Sequence, residues 1–490
     1  MAEPHTTQER HPDASDVPDV PDVRDARAVV ATARATFDRG VTKPRAWRVA
    51  QLQALRRLLV EHADDLAVAL HADLGKGATE AWVTETGFVV REIDHTLRHL
   101  RSWLAPSRVR VPLFLAPSRA EVVLEPLGVV LVVAPWNYPV QLTLAPLVGA
   151  LAAGNAVVVK PSELAPATSA TLARLLREHL DRDAVHVVEG GVPETTALLA
   201  ERFDHIFYTG NGAVGRIVLQ AAAVHLTPVT LELGGKSPAY VADDAELEVA
   251  ARRLVWGKFT NAGQTCVAPD YVIASRATIE ALKPLLVKAI RESFGEDPQV
   301  SADYGTIVSA RHLERLTGLI DPSRVVVGGR SDAAARYLEP TVVEADGDDP
   351  DEAVMQEEIF GPVLPLVEVA GLDEAVALVN RRDKPLALYV FTSDDDVQRR
   401  FVRDTSSGAV GVNIPLAHLA VPGLPFGGVG ASGTGAYHGR RSVELFSHAK
   451  AVLRTPTRPD STSWVRPPFT RLKERVIDTV VAPGRRSARR

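Results

Sequence analysis

Between Gly128 and Glu232, short apolar segments alternate with amphipathic ones, and this alternation restricts the fold more than any other feature of the chain. The apolar segments are short and rich in β-branched residues, so they are predicted strands, at 128–134, 155–160, 185–189, 205–208 and 228–232. The segments between them are predicted helices, at 139–153, 167–179, 194–200 and 213–224. Strands joined by helical crossovers form a parallel sheet with helices on both faces, which is a doubly wound, nucleotide-binding type of domain.

A second alternating region follows, and a helical region precedes the first sheet. After Lys236, helices are predicted at 246–260, 278–294, 310–320 and 372–380, and strands at 324–327, 337–343, 363–369 and 386–391. Before the first sheet, apolar periodicity predicts helices at 29–37, 44–72 and 78–104. The predicted fold class is therefore α/β, with a doubly wound parallel-sheet dinucleotide-binding domain and a second α/β domain.

Composition and charge exclude several classes of protein. The 490 residues are 46% hydrophobic and 24% charged, as in soluble globular proteins, and the formal net charge of −6 argues against a nucleic-acid binder. The single cysteine allows neither an intramolecular disulfide nor a cysteine-rich metal site, so no metal is expected; it fits a reducing, cytoplasmic location. Polar residues and prolines interrupt the apolar stretch 127–159, which is predicted to be a buried strand, helix and strand rather than a membrane span.

Cys266 is the first candidate for a reacting group. It closes the sequence Asn-Ala-Gly-Gln-Thr-Cys, which follows the predicted helix 246–260. A lone cysteine is most often a small buried apolar residue. A glycine in a polar turn, however, suits a thiol presented where backbone N–H groups stabilise a thiolate or an oxyanion. Taken alone, the motif leaves both interpretations open.

Two polar residues lie at predicted strand ends, where sheets of this kind bind ligands. Glu232 ends the strand 228–232 and is followed by Leu-Gly-Gly-Lys. Asn137 lies between two prolines in Pro-Trp-Asn-Tyr-Pro, and an amide on such a stiff turn can donate to a developing oxyanion. The alternatives are an ion pair between Glu232 and Lys236, and an Asn137 side chain that bonds its own backbone.

Candidate cofactor residues lie at two further strand ends. Lys160 and Glu163 follow the strand 155–160, where a cation and a carboxylate suit the ribose hydroxyls of a dinucleotide; a plain surface ion pair is the alternative. Gly210, Gly212 and Gly215 fit the pattern G-x-G-x-x-G between a strand and a helix, where phosphate can bind at a helix N-terminus. A lone match of this kind is weak, and a plain turn is the favoured alternative.

Two later motifs are uninformative in isolation. Glu-Glu-Ile-Phe-Gly-Pro at 357–362 and the glycine-rich loop 425–433 both read as turns. Together with the preceding motifs, however, they resemble the aldehyde dehydrogenase superfamily from about Arg24 to Pro456. The resemblance is closest to the class 3 enzymes, in the tracts Glu125-Pro-Leu-Gly-Val-Val, Leu226-Thr-Pro-Val-Thr-Leu-Glu-Leu-Gly-Gly-Lys-Ser-Pro238 and Gly435-Ala-Tyr-His-Gly439.

The resemblance implies a role for each candidate residue. Cys266 is the nucleophile, Asn137 and the Cys266 backbone N–H are the oxyanion donors, and Glu232 is the general base. The cofactor residues that it implies are Lys160 and Glu163 at the adenosine ribose, Gly210, Asn211 and Gly215 near the pyrophosphate, and Glu358 and Phe360 at the nicotinamide ribose and ring.

A division of the chain also follows from the resemblance. The NAD(P)-binding domain is expected at 23–107 and 127–232, and the catalytic domain at 233–444. A small β arm for oligomerisation is expected at 108–126 and 445–458, which implies a homodimer. Residues 1–22 are acidic and rich in proline and are predicted to be a disordered tail, and 459–490 a basic tail.

The predicted activity is NAD(P)-dependent oxidation of a small-molecule aldehyde to the carboxylic acid, through a thiohemiacetal and a thioester on Cys266. Glu163 favours NAD modestly, since a carboxylate accepts the ribose 2′-OH and repels a 2′-phosphate, whereas Lys160 favours NADP. The alternatives are a thiol-dependent hydrolase or acyltransferase, a catalytically silent binding protein on the same fold, and a CoA-acylating dehydrogenase, against which Glu232 argues. The identity of the aldehyde is left open.

Overall fold

The computed structural model describes residues 26–349, 351–458 and 460–477, and it confirms the predicted α/β fold. The predicted disordered tail at 1–22 and the end of the basic tail lie outside these residues. The helices are α1 Ala26–Asp38, α2 Arg45–Glu61, α3 Ala63–Leu74, α4 Ala78–Ala81, α5 Gly87–Trp103, α6 Gln141–Ala153, α7 Pro166–His179, α8 Val192–Leu199, α9 Gly212–Ala223, α10 Leu247–Phe259, α11 Arg276–Phe294, α12 Ala310–Thr317, α13 Ala353–Gln356, α14 Leu372–Arg381, α15 Asp395–Asp404, α16 Arg440–Leu445 and α17 Arg471–Val476.

The strands of the described residues form two large sheets, a small arm and a two-stranded ribbon. They are β1 Ser107–Val109, β2 Arg119–Pro126, β3 Val129–Val133, β4 Ala156–Lys160, β5 Val185–Val187, β6 His205–Thr209, β7 Val229–Glu232, β8 Pro238–Val241, β9 Tyr271–Ala274, β10 Val325–Val327, β11 Ser331–Asp332, β12 Tyr337–Leu338, β13 Thr341–Ala345, β14 Val363–Glu368, β15 Ala387–Phe391, β16 Ala409–Val412, β17 Gly433–Thr434 and β18 Ser447–Arg454.

The first sheet has the strand order β17-β7-β6-β3-β4-β5, in which β17 is antiparallel to β7 and the other pairs are parallel. Its strands are buried on both faces: Val130 and Val132 belong to one apolar cluster, and Val129 and Leu131 to another. All residues of α6 are buried as well, so the apolar stretch 127–159 is a strand, a helix and a strand, as predicted. No helix in the described parts of the chain is long and apolar enough to cross a membrane.

The second sheet has the order β10-β13-β14-β9-β8-β15-β16, and only β10 runs antiparallel to its neighbour. The five residues 233–237 connect the carboxyl end of β7 to the amino end of β8. Cys266 precedes the amino end of β9, and Glu358 precedes the amino end of the adjacent β14. The cleft between the sheets is therefore lined by carboxyl strand ends of the first sheet and amino strand ends of the second.

Two sequence-based boundaries are wrong, each for a local reason. The predicted helix 44–72 is two helices, because His62 leaves helical geometry and its Nδ1 bonds the Asp65 carboxylate at 2.9 Å. The predicted strand 337–343 is split at Pro340, which lacks the N–H needed to continue a ladder. Within the predicted basic tail, Arg471–Val476 forms α17. Short strands, at 238–241, 271–274 and 409–412, escaped prediction because four residues show no clear periodicity.

Candidate active site

Cys266 follows a tight loop with unusual backbone geometry. Asn261, Ala262 and Gly263 have φ values of 54°, 50° and 74°, in the left-handed region that ordinary residues avoid. At Gly263 a side chain would overlap the carbonyl oxygen of Gly361, so the loop packs closely against the segment that carries Glu358. Backbone strain of this kind persists only where the surroundings enforce it, and it clusters at functional sites.

Hydrogen bonds of Gln264 and Thr265 hold this loop in place. The Gln264 side chain is fully buried, donates to the carbonyls of Asn261 and Thr306, both at 3.0 Å, and accepts from the Val308 N–H at 2.9 Å. The Thr265 hydroxyl bonds the Tyr138 hydroxyl at 2.7 Å. The position of Cys266 is therefore fixed by the two side chains that precede it in the sequence, a role that the spacing of the motif did not reveal.

Asn137 joins the end of β3 to the Cys266 loop. Its side chain is 2% exposed, and its Nδ2 donates to the carbonyl of Gln264 at 3.0 Å. Its own carbonyl accepts from Asn261 Nδ2 at 2.8 Å. The alternative, in which the amide bonds its own turn, is wrong: the Asn137 amide reaches 127 residues along the chain. Among the described contacts, its second amide hydrogen is free to donate.

Glu232 lies at the carboxyl end of β7 and is 2% exposed. Neither of its carboxylate oxygens has a hydrogen-bond partner among the described residues, and burial raises the pKa of this carboxyl well above its usual range. The predicted alternative, an ion pair with Lys236, is wrong: Lys236 Nζ lies 2.5 Å from Asp270 and also donates to two backbone carbonyls. Glu232 is thus an unsatisfied buried carboxyl, which is typical of a group reserved for chemistry.

The glycine-rich loop 425–433, which reads as a turn in the sequence, supports Glu232. Gly433 pairs with Glu232 as part of β17, and the N–H of Leu233 donates to the Ser432 carbonyl at 3.0 Å. The same region brings in Tyr437, whose buried hydroxyl has no partner among the described residues and whose pKa is raised by burial and by the nearby Glu232 and Cys266. Sequence analysis did not identify Tyr437, because nothing in the sequence around it indicates that it lies near Glu232 at the carboxyl end of β7.

The carboxyl groups of Glu358 and Glu232 influence the pKa of the Cys266 thiol. Burial, Glu358 and Glu232 raise the pKa of Cys266 far above its usual range, while the backbone N–H groups of Cys266 and Val267 oppose that shift. The thiol is therefore protonated in the free protein, and backbone donors are already directed at its sulfur. The two carboxyls come from opposite sheets, which places Cys266 in the cleft between them.

Glu358 and Phe360 line the same cleft. The Glu358 carboxylate lies against the Gly234–Gly235 turn so closely that a side chain on Gly234 would overlap it, and burial together with Asp270 raises its pKa to about 8. Phe360 has a φ of 52° and packs its ring edge-on against Trp136, the neighbour of Asn137, with 5.4 Å between ring centroids. The 357–362 motif is thus part of the site and not a plain turn.

Lys160 and Glu163 lie at the carboxyl end of β4. The Lys160 ammonium is 2% exposed, donates to the Pro161 carbonyl at 2.6 Å and lies 3.8 Å from the carboxylate of Glu163, whose side chain is 48% exposed. Burial lowers the pKa of Lys160, while Glu163, Glu194 and Glu189 raise it. A buried cation with spare donors, faced by carboxylates, suits hydroxyl groups that both donate and accept.

Gly210, Asn211 and Gly215 form the turn between β6 and α9. Asn211 caps the helix, and its side-chain oxygen accepts from the Val214 N–H at 2.9 Å. Gly215 lies in the first turn, where a Cβ would be 3.3 Å from Leu233 Cδ2, so its lack of a side chain brings α9 close to the chain after β7. The turn therefore presents a helix N-terminus at the carboxyl edge of the first sheet, where phosphate groups bind.

The sequence matches the model of the aldehyde dehydrogenase family over residues 13–452. It is 49% identical to a dog protein named aldehyde dehydrogenase, dimeric NADP-preferring, covering 90% of this chain and 97% of that one. It is 46% identical to rat aldehyde dehydrogenase family 3 member A2, covering 90% of each chain. The fold superposes on the substrate-bound state of Staphylococcus aureus AldH with a TM-score of 0.90 at 43% identity, covering 92% of this chain and 98% of that one. The predicted resemblance is confirmed, and the chain belongs to the aldehyde dehydrogenase family.

Proposed function

We propose that this NAD(P)-dependent aldehyde dehydrogenase works through Cys266 as nucleophile, Asn137 as oxyanion donor and Glu232 as general base. The observation that carries the proposal is the buried Glu232 carboxyl, which has no hydrogen-bond partner among the described residues and lies close enough to Cys266 to alter its pKa. A base that must accept a proton from water needs free oxygen atoms and a raised pKa, and Glu232 has both.

Cys266 and Asn137 both act in the first chemical step. The Cys266 thiol first gives its proton to one of the two nearby carboxylates, Glu358 or Glu232. The resulting thiolate Sγ bonds to the aldehyde carbon, and the electrons of the C=O π bond move to the carbonyl oxygen, which becomes an oxyanion. The second hydrogen on Asn137 Nδ2 and the Cys266 backbone N–H stabilise that charge, because both donors are held in place before the substrate arrives. The rigid loop geometry around Gln264 keeps the two donors aligned.

The cofactor site fits NAD(P) by the chemistry of its residues. Lys160 and Glu163 would hold the adenosine ribose, the α9 N-terminus the pyrophosphate, and Glu358 and Phe360 the nicotinamide end. When bound, NAD(P) supplies the hydride acceptor of the reaction. The thioester left on Cys266 is then hydrolysed by a water whose proton passes to Glu232, which releases the carboxylic acid and the free thiol.

A panel of aliphatic and aromatic aldehydes, assayed with NAD and with NADP, tests the overall proposal. We expect cofactor-dependent formation of one carboxylic acid per reduced nicotinamide. The hydrolase alternative predicts thioester cleavage at the same rate with and without cofactor. The charged groups that act on the thiol are carboxyls of Glu232 and Glu358, which favours the dehydrogenase, because thiol hydrolases normally activate the thiol with a histidine.

We expect both cofactors to be used, with a modest preference for NAD. Glu163 is half-exposed beside Lys160, and Glu189 and Glu194 add negative charge at the same place, so a 2′-phosphate is repelled while a 2′-OH finds acceptors. The dog relative is named NADP-preferring. We expect the charge at this site to decide which of the two cofactors this chain prefers.

Glu163→Ser should shift the ratio of kcat/KM values toward NADP. The change removes the carboxylate that repels the 2′-phosphate and keeps the Lys160 ammonium, which attracts it. We expect a shift of about 10-fold, the size of one weakened charge interaction of roughly 1.4 kcal/mol. Glu178→Ser, on the exposed side of α7, is the matched control. An unchanged ratio would show that Glu163 does not face the ribose.

The β arm supports a homodimer. β1, β2 and β18 form an antiparallel sheet in which the outer edge of β18 pairs with no other strand of the described residues. Val109 and Leu453 flank Ala120 in register, so the three residues share one face, and Val109 and Leu453 are 49% and 56% exposed. An open eight-residue edge beside an apolar strip is a surface that a second subunit covers, and the dog relative is named dimeric.

Leu453→Glu should convert the dimer to monomers at micromolar concentration, because it places a charge in the covered strip, on the strand whose outer edge is open. Light scattering after gel filtration gives the molar mass directly. Lys450→Gln, on the other face of β18, should leave the dimer intact. A monomeric unmodified protein at that concentration would refute the assembly.

The domain division and the location remain proposals. The proposed division at 23–107 with 127–232, 108–126 with 445–458, and 233–444 is supported by the location of β3 to β7 within 127–232, of β8 to β16 within 233–444, and by the pairing of β2 with β18. One strand within 233–444, β17, pairs with β7 of the first sheet. Residues 459–490 are retained as a basic tail. A cytoplasmic location is supported by the single cysteine, since the reaction requires a free thiol and a reducing compartment protects it. Cell fractionation tests it.

A further inference from the structure

A fully buried ion pair lies beneath the active site and is not used by the mechanism. Lys76 follows α3, and Glu85 lies in a π-helical turn, Trp82–Thr86. Lys76 Nζ is 2.5 Å from Glu85 Oε1, and both side chains are 0% exposed. Burying two charges carries a desolvation penalty that an apolar pair of similar volume would avoid. A pair of this kind therefore calls for a function other than stability.

The remaining hydrogen-bonding groups of both residues are directed at the turn that carries Asn137. Lys76 Nζ donates to the Asn137 carbonyl at 2.9 Å and lies 3.9 Å from the centroid of the Tyr138 ring. Glu85 Oε2 accepts from the N–H groups of Val140 and Gln141, at 3.0 and 2.8 Å, where α6 begins. The pair thus holds the backbone from the Asn137 carbonyl to the start of α6 at Gln141.

The Asn137 carbonyl is also the point where this turn meets the Cys266 loop. It accepts from Asn261 Nδ2 at 2.8 Å, while the Asn137 amide donates to the Gln264 carbonyl at 3.0 Å. Movement of this carbonyl would therefore tilt the amide away from the sulfur of Cys266. An oxyanion donor acts through its exact placement, so a displacement of about 1 Å can reduce the rate by about 10²-fold.

We propose that the Lys76–Glu85 pair is a positioning device for the oxyanion donor: it fixes the backbone of Asn137 so that the amide stays aligned with Cys266. Lys76 supplies a donor to the Asn137 carbonyl, and Glu85 both neutralises Lys76 and anchors the start of α6. The inference rests on the proposed role of Asn137 and extends it to two residues that contact neither the substrate nor the cofactor.

A double-mutant cycle tests this role, with Glu85→Gln, Asn137→Ala and the two combined. Asn137→Ala should lower kcat by about 10²–10³-fold, the loss expected for one oxyanion donor. Glu85→Gln should lower kcat by about 10–10²-fold through misplacement of that donor, with the KM for NAD(P) unchanged. In the Asn137→Ala background Glu85→Gln should cause no further fall, because there is no amide left to misplace.

A second variant distinguishes loss of positioning from loss of folding. Lys76→Met combined with Glu85→Leu replaces the pair by apolar side chains, which often leaves stability equal or higher. In this protein the variant also removes the acceptor of the Val140 and Gln141 N–H groups, so we expect a cooperative but somewhat lower thermal unfolding midpoint, while kcat falls as in Glu85→Gln. Arg56→Gln, which breaks the half-exposed pair with Asp94 at 2.6 Å, is the control that should leave kcat unchanged.

The outcomes separate the two proposals. Normal turnover by Asn137→Ala would overturn the oxyanion role itself, and the positioning role with it. A large effect of Asn137→Ala, with the same Glu85→Gln effect in both backgrounds, would overturn the positioning role alone. Unmodified kcat in a stably folded Lys76→Met/Glu85→Leu variant would also overturn it.

Discussion

Cys266→Ala should abolish aldehyde oxidation while leaving the binding of NAD(P) within a few-fold. The thiol is the only one in the chain, and two backbone N–H groups and a rigid loop already present it to the cleft. Loss of a nucleophile lowers kcat by roughly 10⁴–10⁶-fold, which is more than any other single change considered for this protein. Steady-state assays with NAD and NADP measure the loss, and quenching of protein fluorescence measures cofactor binding.

The single cysteine permits an independent check. One equivalent of iodoacetamide can modify only Cys266, so the mass increase and the loss of activity should follow the same time course. Because burial and two carboxyls raise the pKa of the thiol, alkylation of the free protein should be slow at neutral pH and accelerate as the pH rises. Near-normal turnover by purified Cys266→Ala would remove Cys266 from the mechanism.

Glu232→Gln should separate the two halves of the reaction. If Glu232 acts only on the water that attacks the thioester, the variant still acylates Cys266 and releases one equivalent of reduced nicotinamide in a burst. Steady turnover should then fall by roughly 10²–10⁴-fold, the loss expected for a general base. The amide preserves size, and the native carboxylate has no hydrogen-bond partner among the described residues, so folding should be little affected.

Stopped-flow absorbance of the reduced nicotinamide resolves both phases, and mass spectrometry identifies the acyl group on Cys266. Glu368→Gln, an exposed carboxylate at the end of β14, is the matched control and should leave both phases unchanged. A burst that disappears together with steady turnover would place Glu232 before acylation, as the acceptor of the thiol proton. If neither phase changes, the deacylating base lies elsewhere, and Glu358, with its pKa raised to about 8, is the next candidate.

The sequence by itself determined the two α/β sheets and the order of the motifs along them. The segments β3, β4 and β6 are buried on both faces. Strands of this kind consist of nearly continuous runs of hydrophobic residues, which are recognisable in the sequence. The same reasoning placed Asn137, Lys160 and Glu232 at strand ends, because polar residues that directly follow such segments must lie at the edge of the sheet. Cys266 was identifiable because it is the only thiol.

Other features were decided only by the tertiary structure. Among the described residues Glu232 has no hydrogen-bond partner, because Lys236 pairs with Asp270 instead. The sequence, in which Glu232 and Lys236 are four residues apart, could not show this. Lys76 reaches Asn137 across 61 residues of chain, and Glu85 reaches Val140 and Gln141 across 55 and 56 residues. Neither residue lies in a local sequence pattern, so only the tertiary packing reveals them. Local periodicity reports which face of an element is buried; it does not report which distant groups meet there, because that depends on how the two sheets are brought together.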